Sequence, residues 1–287
     1  MKLTKKKTRA NKKYCSPSNK HKDKFTCFSR PALKRIIQSY NRNNILDSID
    51  YDDRMSRATL WHLIDDKMKS KCKEEWCWIQ QSFLDINDRN SLKELFRPKK
   101  PKKWDTNPRE WLNSLDIENV MKQYEQKHSD FVFIGPVPID FDHKFSTGNC
   151  VTNELCRINV QSLMKKGKKK IGVIFNLDKH YEPGSHWNAL FVDVGRKGIY
   201  FFDSYASKPT KEVDILMDRL KKQFAKADIK MKIAYNNVRN QWKDSECGVY
   251  SLNFLVKMLE TNIKFKDFIK TPISDDDMFK KREYFFI

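Results

Sequence analysis

The chain has 287 residues, with 57 Lys and Arg against 37 Asp and Glu, a net charge of +20 and 13% aromatic residues. That length holds a domain of about 150 to 180 residues beside an N-terminal unit of about 100, each large enough for a core. No apolar run reaches membrane-spanning length, the basic N-terminus lacks the apolar stretch of a signal peptide, and seven cysteines without regular spacing argue for a soluble protein of a reducing compartment and against a disulfide framework.

In chain order, residues 1–24 carry the basic run from Lys2 to Lys24 with almost nothing apolar to bury, so they are expected to form a disordered tail. Residues 25–97 follow as a helical domain, with helical apolar spacing in Arg30 to Asn41, Arg57 to Met68, Trp76 to Leu84 and Asn90 to Phe96. Prolines and like charges mark residues 98–104 as a linker. In residues 105–287, helices are expected around 107–127 and 209–226, and strands near 131–135, 171–177, 186–194, 198–203 and 229–235. The alternation predicts an α+β domain with a central, mostly antiparallel sheet flanked by helices. The run Lys165 to Lys170 reads as a solvated turn before a central strand.

The chemistry concentrates late in the chain, in Gln241-Trp-Lys-Asp-Ser-Glu-Cys-Gly-Val-Tyr-Ser-Leu252. A thiol nucleophile needs an imidazole to take its proton, a carboxylate to hold that imidazole, and hydrogen-bond donors for the oxygen of the tetrahedral intermediate. Cys247, His186, Asp203 and Gln241 supply these residue types. The apolar run after Cys247 predicts a helix with Asp244 or Ser245 as N-cap, which puts the sulfur at the positive end of a helix dipole. Gly248 removes a side chain where an acyl group would approach. A lone Cys or His would read as an ordinary core residue; four matched residues together read as a site.

His186 to Asp193 and Gly198 to Asp203 form a predicted hairpin. A turn centred on Val194-Gly195 makes His186 and Asp203 direct cross-strand neighbours, whereas one centred on Arg196-Lys197 puts Leu190 opposite Asp203. Both registers keep His186 and Asp203 on one face.

The His-Trp, Asp-Ser and Gln-(five residues)-Cys-Gly blocks resemble the cysteine proteases that process SUMO-type modifiers, together with their adenoviral and African swine fever virus relatives. Glu110-Trp-Leu-Asn-Ser-Leu-Asp to Tyr124 resembles the family's Trp-Leu-Asn-Asp segment. The resemblance implies Cys247 as nucleophile, His186 as general base and then acid, Asp203 as orienter, and the Gln241 side chain with the Cys247 N–H as oxyanion donors. It also implies Trp111 and Trp187 as walls of a narrow tunnel that favours glycine before the cut. Glu246 stands where the family has Asp.

The N-terminal helical unit, the basic charge, the Phe131 to Asp140 block and the chain ending resemble the large-DNA-virus branch. That branch implies cleavage of structural polyproteins or core precursors after Gly-Gly-type sites, in the virion and in viral factories of the host cytoplasm. No cofactor is required for the chemistry, although a DNA or peptide activator is compatible with it. Two other readings use the same residues: a SUMO-type isopeptidase, and a nucleic-acid-binding structural protein on an inactive protease fold. The basic runs suit nonspecific polyanion binding that would fall steeply with salt, but no base-reading motif is present. Cys72 with Cys77, or His143 with Cys150 and Cys156, miss the short spacings of structural zinc, so no metal site is expected. Oligomeric state is not legible.

Overall fold

The computed structural model describes residues 14–20 and 25–287, which divide into two units: Met1–Lys99 with Phe285–Ile287, and Lys100–Tyr284. Of the predicted basic tail, residues 1–13 and 21–24 lie outside the described residues. Residues 14–20 depart from the expectation of disorder. Cys15 and Ser16 are buried, Ser16 N donates to Leu95 O and Arg97 N to Tyr14 O, so backbone pairing anchors a segment whose composition alone predicts solvation.

In the first unit, α1 (Arg30–Asn43) starts at Ser29, whose Oγ accepts from Ala32 N at 3.2 Å, with Pro31 in the first turn. Its buried face is Ala32, Leu33, Ile36, Ile37 and Tyr40. Helix α2 (Arg57–Met68) is capped by Ser56 and α4 (Ile86–Lys93) by Asp85. Between them α3 (Glu75–Trp78) is a single turn, shorter than the apolar spacing of Trp76 to Leu84 suggests. The core gathers Phe28, Trp61, Trp78 and Phe96 around these helices. Glu75 is buried within it, accepting from Trp61 Nε1 at 2.5 Å and Cys27 N at 3.1 Å.

The expectation that the cysteines form no disulfide framework is overturned. Cys15–Cys27, Cys72–Cys77 and Cys150–Cys156 are disulfides, and Cys247 is the free cysteine. The pairs are 12, 5 and 6 residues apart. Their Cα atoms lie 5.3, 5.4 and 6.3 Å apart, within bridging range, which irregular spacing does not reveal. The thiols considered as zinc ligands are these paired ones, and among the described residues no group of three or more His, Cys, Asp or Glu could hold a metal ion.

The second unit is built on a five-stranded sheet in the order β1 (Phe131–Pro138), β2 (Lys170–Asn176), β3 (Trp187–Asp193), β4 (Gly198–Phe202), β5 (Lys232–Tyr235). The α+β expectation holds, and the sheet is mixed: the inner pairings β2–β3 and β3–β4 are antiparallel, the outer β1–β2 and β4–β5 parallel. Helix α5 (Ser114–Lys127) begins later than the predicted 107. Asn113 and Asp116 form a reciprocal capping box there, each bond 3.0 Å, so Trp111 and Leu112 precede the helix. Two short helices, α6 (Asn153–Cys156) and α7 (Val160–Lys165), lead into β2, with Lys166 to Lys169 as the expected turn.

Alternation along the strands divides the core in two. Ile171, Val173, Phe175, Leu190, Val192, Ile199 and Phe201 pack with α8 (Lys211–Ala225) through Val213, Leu216, Met217, Leu220 and Phe224. The opposite face carries α9 (Cys247–Glu260), which is buried almost all round, as a central helix must be. A Cβ on Gly172 of β2 would lie 2.8 Å from the Phe131 ring and 3.3 Å from Leu255 Cδ1, so glycine here makes room chiefly for the Phe131 ring beneath this helix. Three short helices close the chain, α10 (Phe265–Phe268), α11 (Asp275–Lys280) and α12 (Arg282–Phe285).

No helix among the described residues is long and apolar enough to cross a membrane.

Candidate active site

The site forms where β3, β4 and the start of α9 meet. Cys247 is the first residue of α9, so its backbone N–H belongs to the unpaired first turn and the helix dipole presents its positive end to the sulfur. Neither Asp244 nor Ser245 is the cap. Glu246 occupies that position without a capping side-chain bond, because its carboxylate is held by Arg282 Nε at 2.7 Å and Ser245 Oγ at 3.1 Å. Arg282 also donates to the carbonyls of Pro108 at 2.9 Å and Glu110 at 2.8 Å, and stacks over Trp104. The start of the Cys247 helix and the turn before Trp111 therefore share one buried guanidinium.

His186 stands just before β3, its carbonyl fixed by Leu177 N at 3.0 Å. The observed register pairs Ala189 with Phe202 and Asp193 with Gly198, so the turn centres on Gly195-Arg196, between the two predicted registers. Continued by one residue, it sets Asn188 opposite Asp203 and makes His186 the diagonal neighbour, within reach of a long side chain. The ring bridges that diagonal: His186 Nε2 meets Asp203 Oδ2 at 2.9 Å. Nδ1 is thus the nitrogen left for Cys247, whose sulfur acts on the charge of the ring.

His186, Asp203, Gln241 and Cys247 are all buried. Burial pulls the imidazole towards neutrality, yet the hydrogen bonds to Asp203 and Cys247 and their negative charges outweigh it and hold His186 at about 9 against an ordinary 6.5. A ring kept protonated in this way is a suitable partner for a sulfur anion and can later release its proton.

Three residues outside the sequence expectation hold this geometry. Asn236 clamps the Asp203 backbone from both sides, accepting from its N–H at 2.9 Å and donating to its carbonyl at 2.7 Å. Asp203 Oδ1 accepts from Tyr205 N at 2.7 Å, which leaves Oδ2 for the imidazole. Ser204 O accepts from both Asn240 N and Gln241 N at 2.9 Å, and Ser204 Oγ donates to Gln241 Oε1 at 2.6 Å. Gln241 Nε2 is consequently a buried donor with no partner among the described residues. A buried amide hydrogen left unpaired is rare and costly unless a ligand atom uses it. Asn236 lacks any sequence signal, whereas Ser204 lies in the Asp-Ser block and could have been suspected.

Trp111, Leu112, Gly184 and Trp187 line one cleft of about 620 Å³. Trp187 Nε1 donates to Leu112 O at 3.0 Å. A Cβ on Gly248 would sit 3.2 Å from Leu112 Cβ and 3.3 Å from Trp187 Cδ1, so the space Gly248 leaves is taken by these two side chains. Trp187 is buried, while Trp111 is 42% exposed at the cleft's rim.

A free thiol at a helix start, near an imidazole that a buried carboxylate holds, is the constellation of a cysteine-type hydrolase. The chain belongs to the Ulp1 protease family of cysteine proteases: the description "Ulp1 protease family, C-terminal catalytic domain" matches residues 144–286. A protein of Acanthamoeba polyphaga mimivirus named for a thiol protease is 31% identical over 95% of this chain and 92% of its own. A cysteine protease of African swine fever virus is 28% identical over 73% of this chain and 77% of its own, and counterparts from other isolates are named SUMO-1 cysteine protease. The crystal structure of the African swine fever virus protease shares the fold, with a TM-score of 0.66, 22% identity and 97% of each chain covered.

Proposed function

We propose that this protein is a viral endopeptidase that cleaves structural polyprotein or core precursors after Gly-Gly-type sites during virion maturation. The observation that carries the reading is the unpartnered Nε2 of Gln241, set by Ser204 beside a carboxylate–imidazole–thiol series. Such a donor has a use only when a substrate oxygen takes up charge.

In this mechanism Cys247 Sγ attacks the carbonyl carbon as a thiolate, its proton residing on His186 Nδ1. The carbonyl oxygen becomes an anion that accepts from Gln241 Nε2 and the Cys247 N–H. His186 then gives its proton to the departing amine, leaving a thioester, and afterwards takes one from the water that hydrolyses it. Asp203 keeps the ring oriented and stabilises its protonated form. Every group comes from the chain itself, so no cofactor enters the chemistry. The acyl side of the substrate lies in the cleft of Trp111 and Trp187, where limited room favours glycine. The lysine-rich linker and tail give nonspecific affinity for nucleic acid, consistent with work in viral factories and virions.

Cleavage profiling with a peptide library tests this reading. A requirement for glycine before the scissile bond, lost in Cys247→Ala, is expected; turnover without glycine selectivity would overturn the substrate assignment. The names of the African swine fever virus relatives favour a second reading, removal of a SUMO-type modifier. Modifier-fused reporters cleaved faster than precursor peptides would select it.

A further inference from the structure

A row of stacked side chains leads out of the site from the face of the imidazole. The Tyr205 ring lies on His186 with centroids 4.8 Å apart and planes 24° apart. The Arg239 guanidinium sits over Tyr205 at 5.0 Å and over the Trp242 indole at 4.5 Å. The row is anchored at each step: Tyr205 OH donates to Lys243 O at 3.2 Å, Arg239 Nε to Gln241 O at 2.6 Å, and Trp242 N to Asp275 Oδ2 at 2.9 Å.

Despite this anchoring, Trp242 is 72% exposed. An indole held rigidly in water beside a nucleophile offers a large apolar area at little entropic cost to whatever binds it. Among the described residues, Arg239 uses only its Nε in hydrogen bonding, so its terminal nitrogens still face outward. Asp244 and Cys247 both lie within electrostatic range of Tyr205, which places the row next to the reacting sulfur. Asp244 and Asp275 offset the row's positive charge, so apolar contact with Trp242 is the main term and Arg239 acts chiefly by holding the indole in place.

The direction of the substrate follows from the proton the reaction needs. The departing amine must receive it from His186, so the segment after the scissile bond passes the imidazole. The acyl cleft of Trp111 and Trp187 contains none of the row. We propose that Tyr205, Arg239 and Trp242 form the ledge that binds the substrate segment following the cleaved bond, selecting an apolar residue against Trp242 over a charged one. Three steps of about 5 Å accommodate roughly four residues of extended chain. This inference rests on the cysteine endopeptidase reading.

Three quenched peptides that share one acyl half, taken from the cleavage profile, test it. The first continues for four residues containing Leu and Phe, the second carries Lys at those places, and the third stops one residue after the bond. The wild-type kcat/KM is expected to be about tenfold higher for the first than for the second or third. In Trp242→Ala and Arg239→Gln that ratio should fall to within about twofold. An unchanged ratio in both variants would overturn the ledge while the short peptide still reports the nucleophile. No hydrolysis of any peptide by the wild-type protein would overturn the endopeptidase reading, and the ledge with it.

Discussion

The Ser204 hydroxyl donates to Gln241 Oε1 at 2.6 Å, between two buried side chains, and so leaves Nε2 as the unpaired end of the amide. Without that bond the amide can rotate and present oxygen, which repels the developing oxyanion. Gln241→Ala is expected to lower kcat about 10²- to 10³-fold with little change in KM. Ser204→Ala should lower kcat roughly tenfold, with Ser204→Thr restoring most of it. The double variant should be no worse than Gln241→Ala alone, because both changes remove one function. Multiplicative losses in steady-state kinetics would show that Ser204 acts elsewhere.

Cys247→Ser and His186→Ala should abolish turnover with the melting temperature and circular dichroism preserved. Asp203→Asn should retain a trace, about 10⁴-fold below wild type, since an amide keeps the ring in place but disfavours the working tautomer. If all three lose the fold together, the residues form a core and not a site.

The raised pKa of His186 gives a pH dependence with a definite sign. The protonated ring is needed for attack, so kcat/KM should fall on the alkaline side with an apparent pKa of about 9. Asp203 is among the groups that raise this value, so Asp203→Asn should move the alkaline limb to lower pH. Stability follows the same linkage: the contribution is complete below 6.5 and is lost as pH rises through about 9. Thermal melts across that window should flatten in His186→Ala. An alkaline limb unmoved by Asp203→Asn would falsify the assignment of the shift.

The candidate site residues were legible as types because chemistry restricts them: a thiol followed by glycine at the head of an apolar run, and a His and an Asp at matched ends of a hairpin. The register was not, since the loop Val194 to Lys197 hides its centre until Asp193 Oδ1 is seen to accept from Arg196 N at 3.0 Å. Asn236 and Arg282 were illegible for another reason. Their roles depend on contacts with main-chain groups 33 and 172 to 174 residues away, which no local pattern encodes. The disulfides and the ordered segment around Cys15 failed for the same cause, as composition records neither pairing nor anchorage.

Glu75 supplies a prediction for the N-terminal unit. Burial raises its pKa, opposed by bonds from Thr26, Cys27 and Trp61. The folded state therefore holds its proton longer than the unfolded chain, and the associated stability is complete below the unfolded value of 4.5 and declines as pH rises. Glu75→Gln keeps an acceptor for Trp61 Nε1 without a charge to bury, so its stability at neutral pH should equal or exceed wild type. Glu75→Ala removes the shared acceptor of Thr26, Cys27 N and Trp61 Nε1 and should cost about 1–3 kcal/mol for each donor left without a partner. Urea melts at pH 4 and pH 7 separate these outcomes, and a Gln variant weaker than wild type at pH 7 would show that the carboxylate charge is needed.

Arg282 and Glu246 form the buried ion pair next to Cys247, with side chains 4% and 0% exposed. Removing one member strands the other charge, so Arg282→Ala should destabilise the second unit by about 3–5 kcal/mol. Arg282→Lys should recover little, because an ammonium cannot match the guanidinium fork that reaches Glu246, Ser245 O, Pro108 O and Glu110 O together. Since Glu246 precedes Cys247 and Glu110 precedes Trp111, the surviving folded fraction should also show a lower kcat and a higher KM. Denaturant melts and steady-state kinetics on Arg282→Ala and Arg282→Lys measure both effects; wild-type kinetics in the folded fraction would confine the pair to stability alone.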